Sequence, residues 1–345
     1  MFDLGRDNKS IVACSNCFSD YGILKSAEKI GIEIGEVCPN CKLHNGRKLT
    51  YDHLIYLARV FFEWGSVFRC DYGAFFQIIF NEYQKTSINL NVNLKEDVKI
   101  FEEILKVGFF EYGPNAWMYG EIEPLKKLQK KNQRNAVIRK IIKQYPPSII
   151  NADEIFFRIR KDRNLTYDPA QFDSPPDDYL GKGRLDANKH PVLYISSDLE
   201  LCIHEVRANA YDDIFVAKLQ SQCQMKLLDL TNILVEKGAT EYESLGLAVN
   251  MIFTAGEYAY EITRDISVAV KHAGYDGIMY PSYFSSIRDG VIPHLEKFNE
   301  HEHSNFSNNI AIFGRPIDEG KFVVKSINRL VITNIDYSYL FGPVL

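Results

Sequence analysis

Four cysteines near the start of the chain limit its fold more tightly than any other feature. Cys14 and Cys17 form one C-x2-C pair and Cys38 and Cys41 a second, with 20 residues between the pairs, the arrangement of a four-thiolate zinc site. Turn-forming Ser15 and Asn16 fill the first pair and Pro39 and Asn40 the second, so each pair reads as a knuckle. Four thiolates close the tetrahedron, so the expected zinc is structural, with no open position for water or substrate. Cys70, Cys202 and Cys223 have no partner by spacing and read as small core residues.

Beyond the knuckles the chain reads as helices. Tyr51 to Trp64 carries Leu54, Leu57, Ala58 and Phe61 on one stripe, Ala74 to Tyr83 is densely apolar, and Leu94 to Val107 places Val98, Phe101, Ile104 and Leu105 at helical spacing. A turn through Gly113, Pro114 and Gly120 precedes Pro124 to Gln144, which holds eight lysines and arginines and no acid. That run is read as a solvated helix face, against the alternative of a contact with nucleic acid or a partner's acidic face. Paired prolines at 146 and 147 cannot continue a helix, so the expected domains are 1–147, zinc knuckle plus helices, and 148–345.

The second half carries a compact loop, strand and helix at 181–207, GKGRLDANKHPVLYISSDLELCIHEVR. Gly181, Gly183 and the DANKH run read as a flexible loop. Val192 to Ser196 alternate as a strand. Ser197 is a candidate N-cap with Glu200 at capping-box spacing, and Leu199, Cys202, Ile203 and Val206 form the buried stripe. Glu205 falls on the shoulder of that stripe, where a carboxylate can line a pocket.

Composition narrows the class. The chain has 345 residues, enough for about two domains, and a formal net charge of -5, which argues against general affinity for nucleic acid. MFDLGRDNKS lacks the apolar core of a signal peptide, and no apolar run approaches the ~18 residues of a membrane span. A cytoplasmic protein is expected.

The 181–207 stretch resembles the RES domain family, whose pattern has a Gly-Arg loop, a strand with a tyrosine, and a helix with a glutamate followed by Val-Arg. FFRIR at 156–160 is similar to the family's opening strand with its arginine, YDGIMYPS at 275–282 to the strand ending in its serine, and NNIAIFG at 308–314 to its closing strand. The resemblance covers roughly residues 150–330. It implies an α+β, ADP-ribosyltransferase-like fold following the mainly α-helical zinc-knuckle domain. It also implies a toxin that degrades NAD by phosphorolysis or hydrolysis, or transfers ADP-ribose to a protein. The implied setting is a bacterial toxin–antitoxin or phage-defence system. NAD as substrate, inorganic phosphate, an antitoxin or regulatory protein, and a homo-oligomer are the implied partners.

The chemistry of these residues fits. Cleaving the nicotinamide–ribose bond builds positive charge at the anomeric carbon, which Glu205 would stabilise. The pyrophosphate calls for bidentate arginine forks, for which Arg158 and Arg184 are candidates. Arg160 competes with Arg158 on the same strand face. Tyr194 would stack on the nicotinamide or ribose. Ser282, with Ser285 and Ser286 nearby, would offer a hydroxyl to a phosphate. Arg47 and His53, with five residues between them, match the spacing of HEPN ribonuclease motifs, against a reading as a surface arginine and a helix-terminal histidine. His294, His301 and His303 read as part of a polar surface insertion, and Arg264 and Asp265 as surface pairs.

Overall fold

The computed structural model describes residues 10–66, 68–69, 75–112, 122–161, 167–232, 234–282, 308–335 and 339–344. The turn through Gly113, Pro114 and Gly120, the histidines at 294–303, Ser285, Ser286 and Cys70 lie outside them. The chain divides into two compact units, Met1–Cys70 with Phe75–Ala116 and Tyr337–Leu345, and Asp71–Ala74 with Trp117–Asp336.

In the first unit, β1 (Ile11–Cys14) leads into the first knuckle and α1 (Tyr21–Ile30) follows it. The Asp20 side chain caps α1 by accepting from the amides of Gly22 and Ile23, and buried Asp97 in turn accepts from the amides of Ser19 and Asp20. β2 (Lys48–Thr50) pairs antiparallel with β1, placing Lys48 opposite Cys14. It then turns into α2 (Tyr51–Ala58), capped by Thr50, which widens into a π-helical turn over Arg59–Trp64. The strands β3 (Phe68–Arg69), β4 (Phe75–Asn81) and β5 (Gly108–Tyr112) form a three-stranded sheet, with α3 (Val92–Leu105) between β4 and β5. Of the segment Ala74 to Tyr83, read above within the helical run, Phe75–Asn81 is therefore strand. Its apolar residues carry no helical period, and cross-strand pairing with β5 decides it. Phe18, Phe62, Phe101 and Phe109 meet in this unit's core at ring separations of 4.3–6.0 Å.

The second unit begins its described part with two helices, α4 (Glu123–Gln129) and α5 (Lys131–Gln144), broken at Lys130. The basic run is thus two elements, and one of its arginines is not solvated. Arg134 is buried, donating to Leu128 O, Glu261 and Asp265. The strands that follow are β6 (Pro147–Ile150), β7 (Ile155–Lys161) and β8 (Val192–Ile195), then α6 (Leu199–Glu205). After it come β9 (Ile214–Ser221), β10 (Met225–Asp229), α7 (Leu245–Thr254), α8 (Tyr260–His272), β11 (Gly277–Pro281), β12 (Asn308–Phe313) and β13 (Phe322–Leu330).

They build two sheets, one ordered β6-β10-β11-β12-β8 and one β13-β9-β7. Among the described strands, only the β10–β11 pair is parallel. Phe156, Leu193, Ile195, Leu219, Leu227, Ile310 and Phe322 pack between the sheets as one apolar core. A bridge from Phe157 to Ser196 joins β7 to the end of β8. That link brings the opening strand beside the tyrosine strand and α6. Gly277 is required on β11, because a Cβ there would lie 2.2 Å from Ala311 O on β12.

Candidate functional site

The helix that carries Glu205 begins one residue later than its sequence suggests. Asp198, not Ser197, is the N-cap, its carboxylate accepting from the amides of Glu200 and Leu201. Leu201 and Cys202 are buried, and Leu199, Ile203 and Val206 pack beside Cys202. Glu205 is left exposed at the helix's last turn. Its carboxylate pairs with neither Arg207 nor Lys218. Instead Oε1 accepts from Ser282 Oγ at 2.6 Å and from the side-chain amide of Asn309. Ser282 follows β11 and Asn309 lies on β12, both buried. Two adjacent strands therefore fix the orientation of an accessible carboxylate.

Tyr280 completes this corner. It is 7% exposed, and burial, with the charge of Glu205 added, holds its phenol well above the usual range. The opposing influence of Arg184 on the same phenol puts the loop arginine and the helix glutamate in one electrostatic neighbourhood. Neither Asn309 nor Tyr280 stands out in the sequence. The nearest signal is that each lies in one of the two strand motifs, on neighbouring strands.

The Gly181–Asp186 loop, read from the sequence as flexible, is held by a set of hydrogen bonds. Asp186 is 2% exposed; its carboxylate accepts from Gly181 N at 2.6 Å and from the Tyr194 hydroxyl at 3.0 Å. The same hydroxyl accepts from the amides of Leu185 and Asp186. Gly181 has φ +83, and a Cβ on Gly183 would stand 2.0 Å from Asp186 Oδ1 and 2.9 Å from the Tyr194 hydroxyl, so both positions need glycine. From the other side, Arg264 donates two hydrogen bonds to Gly183 O and Thr263 one to Arg184 O. Arg264 is thus a loop anchor rather than a surface residue, and Asp265 pairs with buried Arg134.

The arginines read as phosphate forks are largely engaged with backbone. Arg158, buried on β7, donates to Tyr194 O at 3.1 Å and Asp173 O at 3.0 Å, with Nε unpartnered among the described residues. Burial and then the neighbouring Arg160 lower its guanidinium to about 10, so it stays charged at neutral pH. Arg160 reaches Gln171 O. Arg184 donates to Ile252 O and Ala255 O at the C-terminal end of α7, where helix carbonyls lack intrahelical partners, and lies over the ring of Tyr260 at 4.9 Å. Tyr194 is committed through its hydroxyl, and burial pushes its phenol far above the usual range.

In the first unit, Cys14, Cys17, Cys38 and Cys41 converge, their sulfurs all within 4.8 Å of one another. Pairs stand at 3.5 Å (Cys14–Cys41 and Cys17–Cys38) and 3.8 Å (Cys14–Cys17). A Zn–S bond of about 2.3 Å gives a tetrahedral edge of about 3.8 Å, so the four sulfurs fit such an ion. The amide of Cys14 also donates to Cys17 Sγ, as suits a thiolate. Arg47 and His53 form no common site. Arg47 bonds Gly31 O and Glu33, while His53 Nδ1 accepts from Thr50 N inside the α2 cap.

No helix among the described residues is long and apolar enough to cross a membrane. No curated protein matches the chain. Among solved structures, a chain of the M. tuberculosis MbcT–MbcA toxin–antitoxin complex is similar at 13% identity and a TM-score of 0.36, over 56% of this chain and 92% of that one. The RES domain family model matches residues 155–315, a span that contains the Gly-Arg loop, the tyrosine strand, Glu205 and the two strands that hold its carboxylate. Residues 155–315 are a RES domain.

Proposed function

We propose that this chain cleaves the nicotinamide–ribose bond of NAD and acts as a toxin. The single observation that carries this reading is the accessible Glu205 carboxylate, oriented by Ser282 and Asn309 within the RES domain. Fixed negative charge at that point stabilises the oxocarbenium-like state without reorganisation during the reaction. Ser282 donates its hydroxyl proton to Glu205 and so holds the carboxylate, leaving its oxygen as an acceptor for an attacking water. Arg158 and Arg184 supply positive charge and hold the surrounding backbone. Tyr194 keeps the Gly181–Asp186 loop in place.

Phosphate or water is the favoured acceptor, and transfer of ADP-ribose to a protein is the alternative on the same fold. Zinc held by Cys14, Cys17, Cys38 and Cys41 would be structural, stabilising the first unit outside this chemistry. Antitoxin binding or a regulatory role for the zinc-bearing unit, in a cytoplasmic toxin–antitoxin or phage-defence setting, belongs to the same proposal. The test is incubation of the purified protein with NAD, with and without inorganic phosphate, and identification of products by mass. Free nicotinamide with ADP-ribose indicates hydrolysis, and ADP-ribose carrying one further phosphate indicates phosphorolysis. NAD left intact under both conditions refutes the reading.

A further inference from the structure

Two of the donors of Arg184 and two of Arg158 are engaged with backbone carbonyls, so the backbone of the Gly181–Asp186 loop becomes the more direct source of further donors for an anionic ligand. Its peptide groups are pinned one after another. Gly183 O accepts from Arg264 Nε at 2.9 Å and Nη2 at 2.8 Å, Arg184 O from Thr263 Oγ1 at 2.6 Å, and the amides of Leu185 and Asp186 face the Tyr194 hydroxyl. In a planar trans peptide the N–H points opposite to the C=O. With Gly183 O drawn onto Arg264, the N–H of Arg184 faces away from α8, and it has no acceptor among the described residues.

We propose that Arg264 is a positioning residue of the active site: its fork on Gly183 O aims the Arg184 amide at a phosphate of the ligand. Two features beyond the fork support this. The Tyr260 ring lies against both guanidinium groups, 4.9 Å from Arg184 and 5.5 Å from Arg264, so both arginines are seated against the same tyrosine. The Asp186 carboxylate and Tyr194 hydroxyl fill the place a side chain on Gly183 would take, so they pack directly against that peptide and help to fix its orientation. A lysine in place of Arg264 could make one of the two bonds but not the planar pair. The proposal rests on the NAD reading above, and its test separates the two.

ADP-ribose, which has the pyrophosphate but no bond to cleave, is titrated into wild type, Arg264→Met, Arg264→Lys and, as a control that breaks only the pair with Arg134, Asp265→Asn. Amide exchange over residues 181–186 and NAD kinetics are followed in parallel. Arg264→Met should weaken ADP-ribose binding at least about tenfold, Arg264→Lys by an intermediate factor, and Asp265→Asn by less than twofold. Exchange of the loop should quicken in the same order, and KM should rise in the Arg264 variants with kcat within a few-fold of wild type, because the phosphates lie away from the bond that breaks. If Arg264→Met does not fold, Arg264→Lys decides. Binding within twofold of wild type in a folded Arg264 variant, or a fall in kcat at unchanged KM, overturns the proposal. Failure of the wild type to bind ADP-ribose or consume NAD counts against the proposed function, while an unchanged exchange rate in Arg264→Lys counts against the positioning role alone.

Discussion

Removing one oxygen, by Tyr194→Phe, separates a stacking role for this ring from a role in holding the loop. The ring is kept, and with it any capacity to stack. What is lost is a hydroxyl that accepts from Leu185 N at 2.8 Å and Asp186 N at 3.3 Å and donates to Asp186 Oδ1 at 3.0 Å. The Asp186 carboxylate, 2% exposed, is left with Gly181 N as its remaining partner of those described. A neutral hydrogen bond contributes about 1 kcal/mol and one to a charged group about 1.5–3, while buried groups left unmade cost about 1–3 each. Allowing for partial replacement by water, local opening of the loop should become easier by about 2–4 kcal/mol, a factor of roughly 30 to 1,000 in the opening equilibrium. Native-state amide exchange of residues 181–186 is the appropriate assay, since a chain of two units need not unfold in one step. NAD binding should weaken with it. Exchange of the loop within twofold of wild type, together with normal binding, would refute the argument that this hydroxyl organises the site.

Two further expectations follow from buried groups elsewhere. His190 is 5% exposed, hydrogen-bonded to Ser267 at 2.8 Å, and lowered by burial to about 4; it is neutral in the fold, whereas the unfolded chain takes up a proton near its ordinary value of about 6.5. The unfolded state therefore binds more protons between about pH 6.5 and pH 4, so stability of the second unit should fall across that window and be insensitive to this group above it. His190→Gln should flatten that part of a stability-versus-pH curve, and an unchanged slope would remove His190 as the cause. Elemental analysis should find one zinc per chain, and a chelator or Cys14→Ser should raise amide exchange around residues 11–50 before the second unit is affected. A metal-free protein with protected knuckles would contradict the four-thiolate site.

What the sequence could reveal depended on how local each interaction is. The cysteine set was legible because ligand spacing is short-range chemistry, and α3, β7, β8 and α6 were legible because their periods survive in context. The strand Phe75–Asn81 was misread because an apolar run without a period takes its form from its partner, here β5. Ser197 and Asp198 are adjacent and both able to cap, and the choice depends on which side chain reaches the amides of Glu200 and Leu201. The sequence-predicted candidates Glu205 and Ser282 do meet, whereas Asn309, 104 positions beyond Glu205, joins them only through the pairing of β11 and β12. The carbonyl partners of Arg158 and Arg184 were equally out of reach, since they lie on segments brought near by folding. Arg264 was read as a surface residue for the same reason: nothing near it in sequence foretells Gly183 O.

The central claim is that Glu205 stabilises the charge that develops as nicotinamide leaves, and Glu205→Gln tests it most directly. The substitution keeps the size of the side chain and an acceptor oxygen for Ser282 and Asn309 while removing the charge. Nicotinamide release from NAD, measured at saturating substrate with the fold checked by thermal unfolding, should fall by roughly 10²-fold or more with little change in stability. Turnover near that of the wild type in a folded Glu205→Gln protein would contradict the account.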